Sequence, residues 1–227
     1  QGGGEMMLVD LPRSPQNQQF QTPAQKRFYE ITARAHNTIC VAERDHQIDA
    51  QGSILESKST KNYRWIACDA GGACGDGTQF IRHVVMIVDP ETNDGHTVIV
   101  LDELTNGAPE TFEQLWHTRG RVELDEATQI GTITGIRNQL HFALAATVES
   151  SVKLKSARID SHCSERFLHI TGGALGQVLL ATVLGTGPIK GNVEIQASDE
   201  GVTVLAGSAS VQFKPTALHL KLSNINA

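Results

Sequence analysis

Two apolar runs, residues 81–88 and 98–101, flank the connector Asp89-Pro90-Glu91-Thr92-Asn93-Asp94-Gly95. Proline, asparagine, aspartate and glycine in that order reverse a chain, so the two runs are read as a hairpin. A strand with one wet face alternates apolar and polar residues. These runs are nearly continuous, which requires burial on both faces and places the hairpin mid-sheet in a thick sandwich. The same pattern of short β-prone segments recurs at 52–56, 63–68, 131–136, 139–144, 151–155, 167–170, 177–184, 192–195, 202–205, 209–213 and 217–222, punctuated by Gly, Asn, Asp and Pro. Near-regular spacing of this kind predicts an all-β fold, a large antiparallel β-sandwich. Residues 109–117 begin like a helix cap and end like a strand, and 11–26, with two prolines and no apolar period, read as a loop. No repeat or low-complexity tract divides the chain, and 227 residues suit a single β-sandwich domain over 1–227.

Charge narrows the partners. A net charge of −6 and a pI near 5.8 argue against a broadly basic surface that would track nucleic acid. Any capture of an acidic polymer must come from a local cluster. No run approaches the roughly eighteen apolar residues that span a bilayer, and no charged-then-apolar leader opens the chain, so neither nucleic acid nor membrane is expected as a partner. Residues 1–5 pass without a start methionine into 6–10, which already read as a strand, so the chain is expected to begin inside something larger. Of Cys40, Cys68, Cys74 and Cys163, the second and third flank Gly71-Gly72, which allows either free thiols or one loop-closing bridge.

The densest chemistry lies in residues 27–41, where Tyr29, Arg34, His36, Asn37 and Thr38 fall within ten positions. On an extended backbone Arg34, His36 and Thr38 share one face, a guanidinium, an imidazole and a hydroxyl in a row. Trp116-His117-Thr118 offers a second group, in which the indole serves either as a platform for a sugar or as core.

The run Ala33-Arg34-Ala35-His36-Asn37-Thr38 after Phe28-Tyr29 resembles the signature of the heparinase II/III-like polysaccharide lyases, in the β-sandwich that follows their helical toroid. Residues 80–88, 98–104 and 112–118 resemble the next strands of that domain, in order, so that the resemblance covers roughly 1–120. It implies a fragment of a toroid-plus-sandwich lyase, lacking the toroid and the first strands. It also implies β-elimination on a uronic-acid polysaccharide, with the toroid of the same protein and an acidic polysaccharide or oligosaccharide as partners, and a secreted or periplasmic location.

Such an elimination needs a cation to neutralise the carboxylate, a base for the adjacent carbon's proton and an acid for the departing oxygen. The resemblance puts a sandwich histidine at His36, with Arg34 beside it as the second catalytic candidate and Arg82, His117 and Tyr29 as substrate contacts. Several family members carry His-x-His where this chain has Arg34-Ala35-His36. Either His36 is the catalytic ring, or it is the metal-side ring and the base has been lost. Arg34 is no base near neutral pH but grips a carboxylate bidentately. Cys74 stands where relatives often have a tyrosine, and a thiol is a poor substitute for a phenol. A structural zinc would draw on His36, Asp49 and His83, although the histidine expected two residues before Arg82 is Phe80; the alternative is a solvated Asp49 and a packed or exposed His83. His46, His96, His141, His162, His169 and His219 receive no role. The competing functions are a carbohydrate-binding or scaffold module that keeps the fold without the chemistry, and a structural sandwich that mediates protein contacts.

Overall fold

The computed structural model describes residues 7–8, 32–75, 77–88, 95–158, 164–217 and 219–226. The strands are β1 (Ile39–Val41), β2 (Ser53–Ser59), β3 (Tyr63–Asp69), β4 (Thr78–Val88), β5 (Gly95–Thr118), β6 (Arg121–Asp125), β7 (Ile130–Thr134), β8 (Gln139–Ala146), β9 (Ser150–Arg158), β10 (Ser164–Gly185), β11 (Val193–Ser198), β12 (Gly201–Ala206), β13 (Ala209–Pro215) and β14 (Leu220–Asn226). The fold is antiparallel and all-β, as the sequence implies.

The two longest strands organise the rest. β5 and β10 pair from Thr97↔Gly185 to Thr118↔Arg166, and a bulge between Ala174 and Gly176 interrupts the ladder. At that bulge β10 changes its other neighbour, from β9 over Ser164–Gly172 to β8 over Leu180–Gly185. The large sheet therefore runs β2-β3-β4-β5-β10-β8-β7-β6, with β1 on the distal half of β5 and β9 on the matching half of β10. That distal part, β1-β5-β10-β9, is called the wing below. Gly176 supplies the left-handed backbone, φ 69°, that the bulge requires.

Wing and main sheet share one core: Ile39, Val41, Phe112, Trp116 and Leu168 of the wing cluster with Phe80, Val100, Leu104, Phe142 and Val178. The other face of the main sheet packs Trp65, Val85, Ile99, Leu101 and Leu179 against Val204, Val211, Phe213 and Leu220 of a separate sheet, β11-β12-β13-β14. The hairpin at the centre of the sequence argument is β4–β5. Its residues alternate between two cores, which explains why its apolar runs lack a polar face.

Residues 109–117 are strand throughout, a continuation of β5. Segments 167–170 and 177–184 are one strand, because Gly172 and Gly173 between them keep the ladder to β5. β6 was not foreseen, since only Val122 in Arg121-Val122-Glu123-Leu124-Asp125 is buried. Asp125 closes β6 by capping the turn to β7, its Oδ1 accepting the N–H of Ala127 at 2.9 Å. The loop reading for 11–26, and all but Met7 and Leu8 of the reading for 6–10, lie outside the described residues.

Glu103 ties the two sheets together. From β5 it accepts the Gln177 side-chain amide at 2.8 Å and, across the interface, the N–H of Leu220 on β14 at 3.0 Å, while the fully buried His83 ring stands 3.5 Å away. Burial pushes the Glu103 carboxyl up, but the His83 contact, the Leu220 N–H and the Gln177 amide together outweigh it and hold the group below its ordinary value. A folded-state value below the unfolded one gives stability that is present above the unfolded carboxylate range and lost as pH falls through the folded value. Glu103→Gln should therefore flatten the loss of stability below about pH 4.3, read as urea midpoints across an acid series. A variant whose acid slope matches the parent's would remove Glu103 from the role.

A tight spot in the outer sheet gives a second expectation. Gly201 has φ 147°, and a Cβ there would sit 2.1 Å from the carbonyl oxygen of Phe213 on the paired strand. Gly201→Ala should lose roughly 2–3 kcal/mol, seen as a lowered thermal midpoint, whereas Gly187→Ala, which meets nothing within 4 Å, should stay near the parent.

Candidate functional site

The residues singled out in 27–41 do not begin as a strand. Ala33–Ala35 form a 3-10 turn, with Ala35 N–H donating to Thr32 O and His36 N–H to Ala33 O, both at 3.0 Å. Alanines without β-branching tolerate such a turn, and Asp45 Oδ1 fixes its start by accepting the Ala33 N–H at 2.5 Å. The extended-face alignment of Arg34, His36 and Thr38 is thus corrected: the strand starts at Ile39. Thr38 O accepts the N–H of Leu115 at 2.9 Å, which seats the segment on β5.

Beneath the segment lies an ion pair whose carboxylate is fully buried and whose guanidinium side chain is 20% exposed. Arg82 on β4 grips Asp102 on β5 bidentately, Nε to Oδ1 at 2.6 Å and Nη2 to Oδ2 at 2.7 Å. Gln114 adds a hydrogen bond to Asp102 Oδ2 at 2.7 Å. The guanidinium lies 5.1 Å from the Trp116 ring centroid and 5.4 Å from that of Phe80, a geometry that favours a cation. Burial works against its charge, and Asp102 more than offsets this, holding Arg82 above its ordinary value. Its remaining Nη1 donates to the carbonyl of Asn37 at 2.5 Å. Three N–H groups of the fork thus hold Asp102 and segment 32–38, and the side chain stays 20% exposed.

Asn37 also holds the next strand, its Oδ1 accepting the N–H of His117 at 2.7 Å. The His117 ring is buried and stacks on Phe167, with centroids 5.1 Å apart. Trp116 points into the core, which decides between the two uses open to it. Arg34 reaches the opposite side of the wing, where Nη2 meets Glu113 Oε2 at 2.6 Å, with Glu43 at 4.0 Å, and its side chain stays 43% exposed. Glu113 Oε1 in turn meets His169 Nε2 at 3.0 Å. His36 follows the turn and is half-buried. Arg34, His36, Arg82 and His117 are thus gathered on or around a single short segment. Tyr29 lies outside the described residues.

The metal reading fares differently. Asp49 is exposed, and His83 projects from the face of β4 opposite to Arg82, into the second core between Trp65 and Phe213. Among the described residues no three His, Cys, Asp or Glu side chains converge as a metal would require. Alternation along β4 separates the intended ligands, so His36, Asp49 and His83 do not fit a zinc. Cys40, Cys68 and Cys74 are free thiols, and Cys163 lies outside the described residues. The Cys74 sulfur is buried, 3.8 Å from Ile39 O and 3.9 Å from His46 Nε2, and burial, reinforced by the charge of Asp102, pushes it up to about 11. Burial likewise takes Cys40 up to about 12.

No protein-family model and no curated protein matches the sequence. Structure is more informative. The chain shares its fold with heparinase III. Against that crystal structure the TM-score is 0.65 at 14% identity, covering 82% of this chain and 30% of the other. Heparan sulfate lyase HepC from Pedobacter heparinus gives 0.61 at 11% identity, covering 85% and 30%. The chain thus spans about a third or less of the length of these lyases. The heparinase-like fold confirms the all-β reading.

Sequence reasoning passed over Glu113, His169, Asp45 and Asp102. One signal was available: Glu113, Leu115 and His117 alternate with Gln114, Trp116 and Thr118, so an extended 112–118 places Glu113 on the His117 face. The weight given to Asp102 has a direct test. Asp102→Ala strands a buried guanidinium and should cost about 3–5 kcal/mol, whereas Arg82→Met with Asp102→Leu should recover most of that loss, both measured by chemical denaturation.

Proposed function

We propose that this chain is the β-sandwich part of a polysaccharide lyase that cleaves a uronic-acid polysaccharide by β-elimination. The observation that carries the reading is that Arg34 and His36 stand on one short segment, which Asn37 ties to Arg82 and to the backbone of His117, in a fold shared with heparinase III and a heparan sulfate lyase. The partly exposed guanidinium of Arg34 presents N–H groups to a sugar carboxylate, which makes the proton on the adjacent carbon more acidic. His36 takes that proton; the electron pair it leaves forms the carbon–carbon double bond and expels the glycosidic oxygen, which a second group protonates. A helical toroid of the same protein completes the cleft and supplies that group. A secreted or periplasmic setting follows from the polymeric substrate.

One observation favours a second reading, a carbohydrate-binding module that has lost the chemistry. Cys74, in the place of the family's tyrosine, is buried and held neutral near pH 7, so it neither reaches a sugar nor donates a proton there. The deciding experiment follows the ultraviolet absorbance of unsaturated uronate from heparan sulfate, alginate and hyaluronan, using the protein with its toroid. Turnover that falls by about 10²–10⁴-fold in His36→Ala supports the lyase. Binding of the polymers with no conversion selects the module.

A further inference from the structure

Strand register on the wing places more than Arg34 on its outer face. In an antiparallel pair, residues directly opposite each other project to the same side. β5, β10 and β9 give two consecutive rows there: Leu115↔His169↔Lys153 and His117↔Phe167↔Lys155. The first row leads back to Arg34, through the bond from His169 to Glu113 and from Glu113 to the guanidinium. The second carries a half-buried aromatic ring, Phe167, between the buried His117 and an exposed lysine. Lys153 and Lys155 are both exposed, two residues apart on one strand, which sets their Cα atoms about 7 Å apart.

We propose that Lys153 and Lys155, with Phe167 beside them, form a binding subsite for an acidic polysaccharide on the edge strand β9 of the wing, beyond the Arg34 carboxylate grip. The proposal rests on the reading of the ligand as an acidic glycan and extends it to residues outside segment 27–41. In a chain with net charge −6, a polyanion is held only where cations are concentrated. Lys153 and Lys155 supply two such cations on β9, beyond Arg34, whose guanidinium is paired with Glu113. The half-buried Phe167 ring beside them gives sugar rings an apolar surface between charged contacts.

The test is binding of the 227-residue chain to end-immobilised heparan sulfate and alginate over a salt series. Lys153→Ser/Lys155→Ser should bind about tenfold more weakly at low salt and lose part of the salt dependence. A charge-matched control, Lys61→Ser/Lys190→Ser, removes two other exposed lysines and should behave as the parent. Equal losses in both double variants would mean diffuse attraction and would overturn the subsite. So would parental affinity in the Lys153/Lys155 variant. A parent chain that binds neither polymer would also overturn the subsite, which this chain carries alone, whereas failure of the toroid-containing protein to bind either polymer would sink the acidic-glycan reading. Both lysines are surface residues, so matched thermal midpoints are expected and serve as the folding check.

Discussion

The Arg82–Asp102 pair is the constraint on which the site depends. A carboxylate with no exposure and a guanidinium against two aromatic rings are costly to bury, and only their bidentate geometry, with Gln114 completing the carboxylate, makes the arrangement tolerable. The pair spans β4 and β5, and a further guanidinium N–H, on Nη1, donates to the carbonyl of Asn37. Asn37 then uses its side chain to hold the backbone of His117. A charge inside the core thereby fixes the position of a segment outside it, and with it the direction in which Arg34 and His36 leave the backbone.

The sandwich gives this network its rigidity because β5 and β10 are each continuous through two sub-sheets. Bulging at Ala174/Gly176 lets one ribbon serve both the wing and the main sheet without a loop between them. Glu103 extends the same logic to the far layer: adjacent to Asp102 but on the opposite face, it bonds the N–H of Leu220 in the outer sheet. Two neighbouring carboxylates on one strand face two different cores, one securing the site and the other securing the layer that covers the strand from behind.

Much of the fold was legible because strand alternation and turn residues are local signals. The β4–β5 hairpin could be read from residues 81–101 and its burial on both faces from the absence of a polar period. What escaped depended on pairing. That 167–170 and 177–184 are one strand is decided by their common partner, and β6 hides because four of its five residues are polar or only partly buried. The site divides in the same way. His36, Arg34 and Asn37 were found by their density in sequence, but Glu113 and His169, separated from each other by 56 positions, become visible only when β5 and β10 are laid side by side. The zinc set failed for the opposite reason: three suitable residue types were chosen by sequence order, and the two-residue period of β4 sends His83 away from the side on which Arg82 meets the segment.

Arg34 shows how the same geometry serves either functional reading. Its pairing with Glu113 fixes the side chain in place, which lowers the entropy lost when a carboxylate is gripped, yet it also consumes part of the charge that a substrate would feel. His169 lies on the other oxygen of Glu113 and shares that carboxylate with Arg34. A guanidinium held in this way is suited to orienting an acidic sugar, and orientation is common to a lyase and to a binding module. The two proposed functions therefore diverge at His36 and at the group that would protonate the departing oxygen, a role to which Cys74, buried against Ile39 and His46, is unsuited.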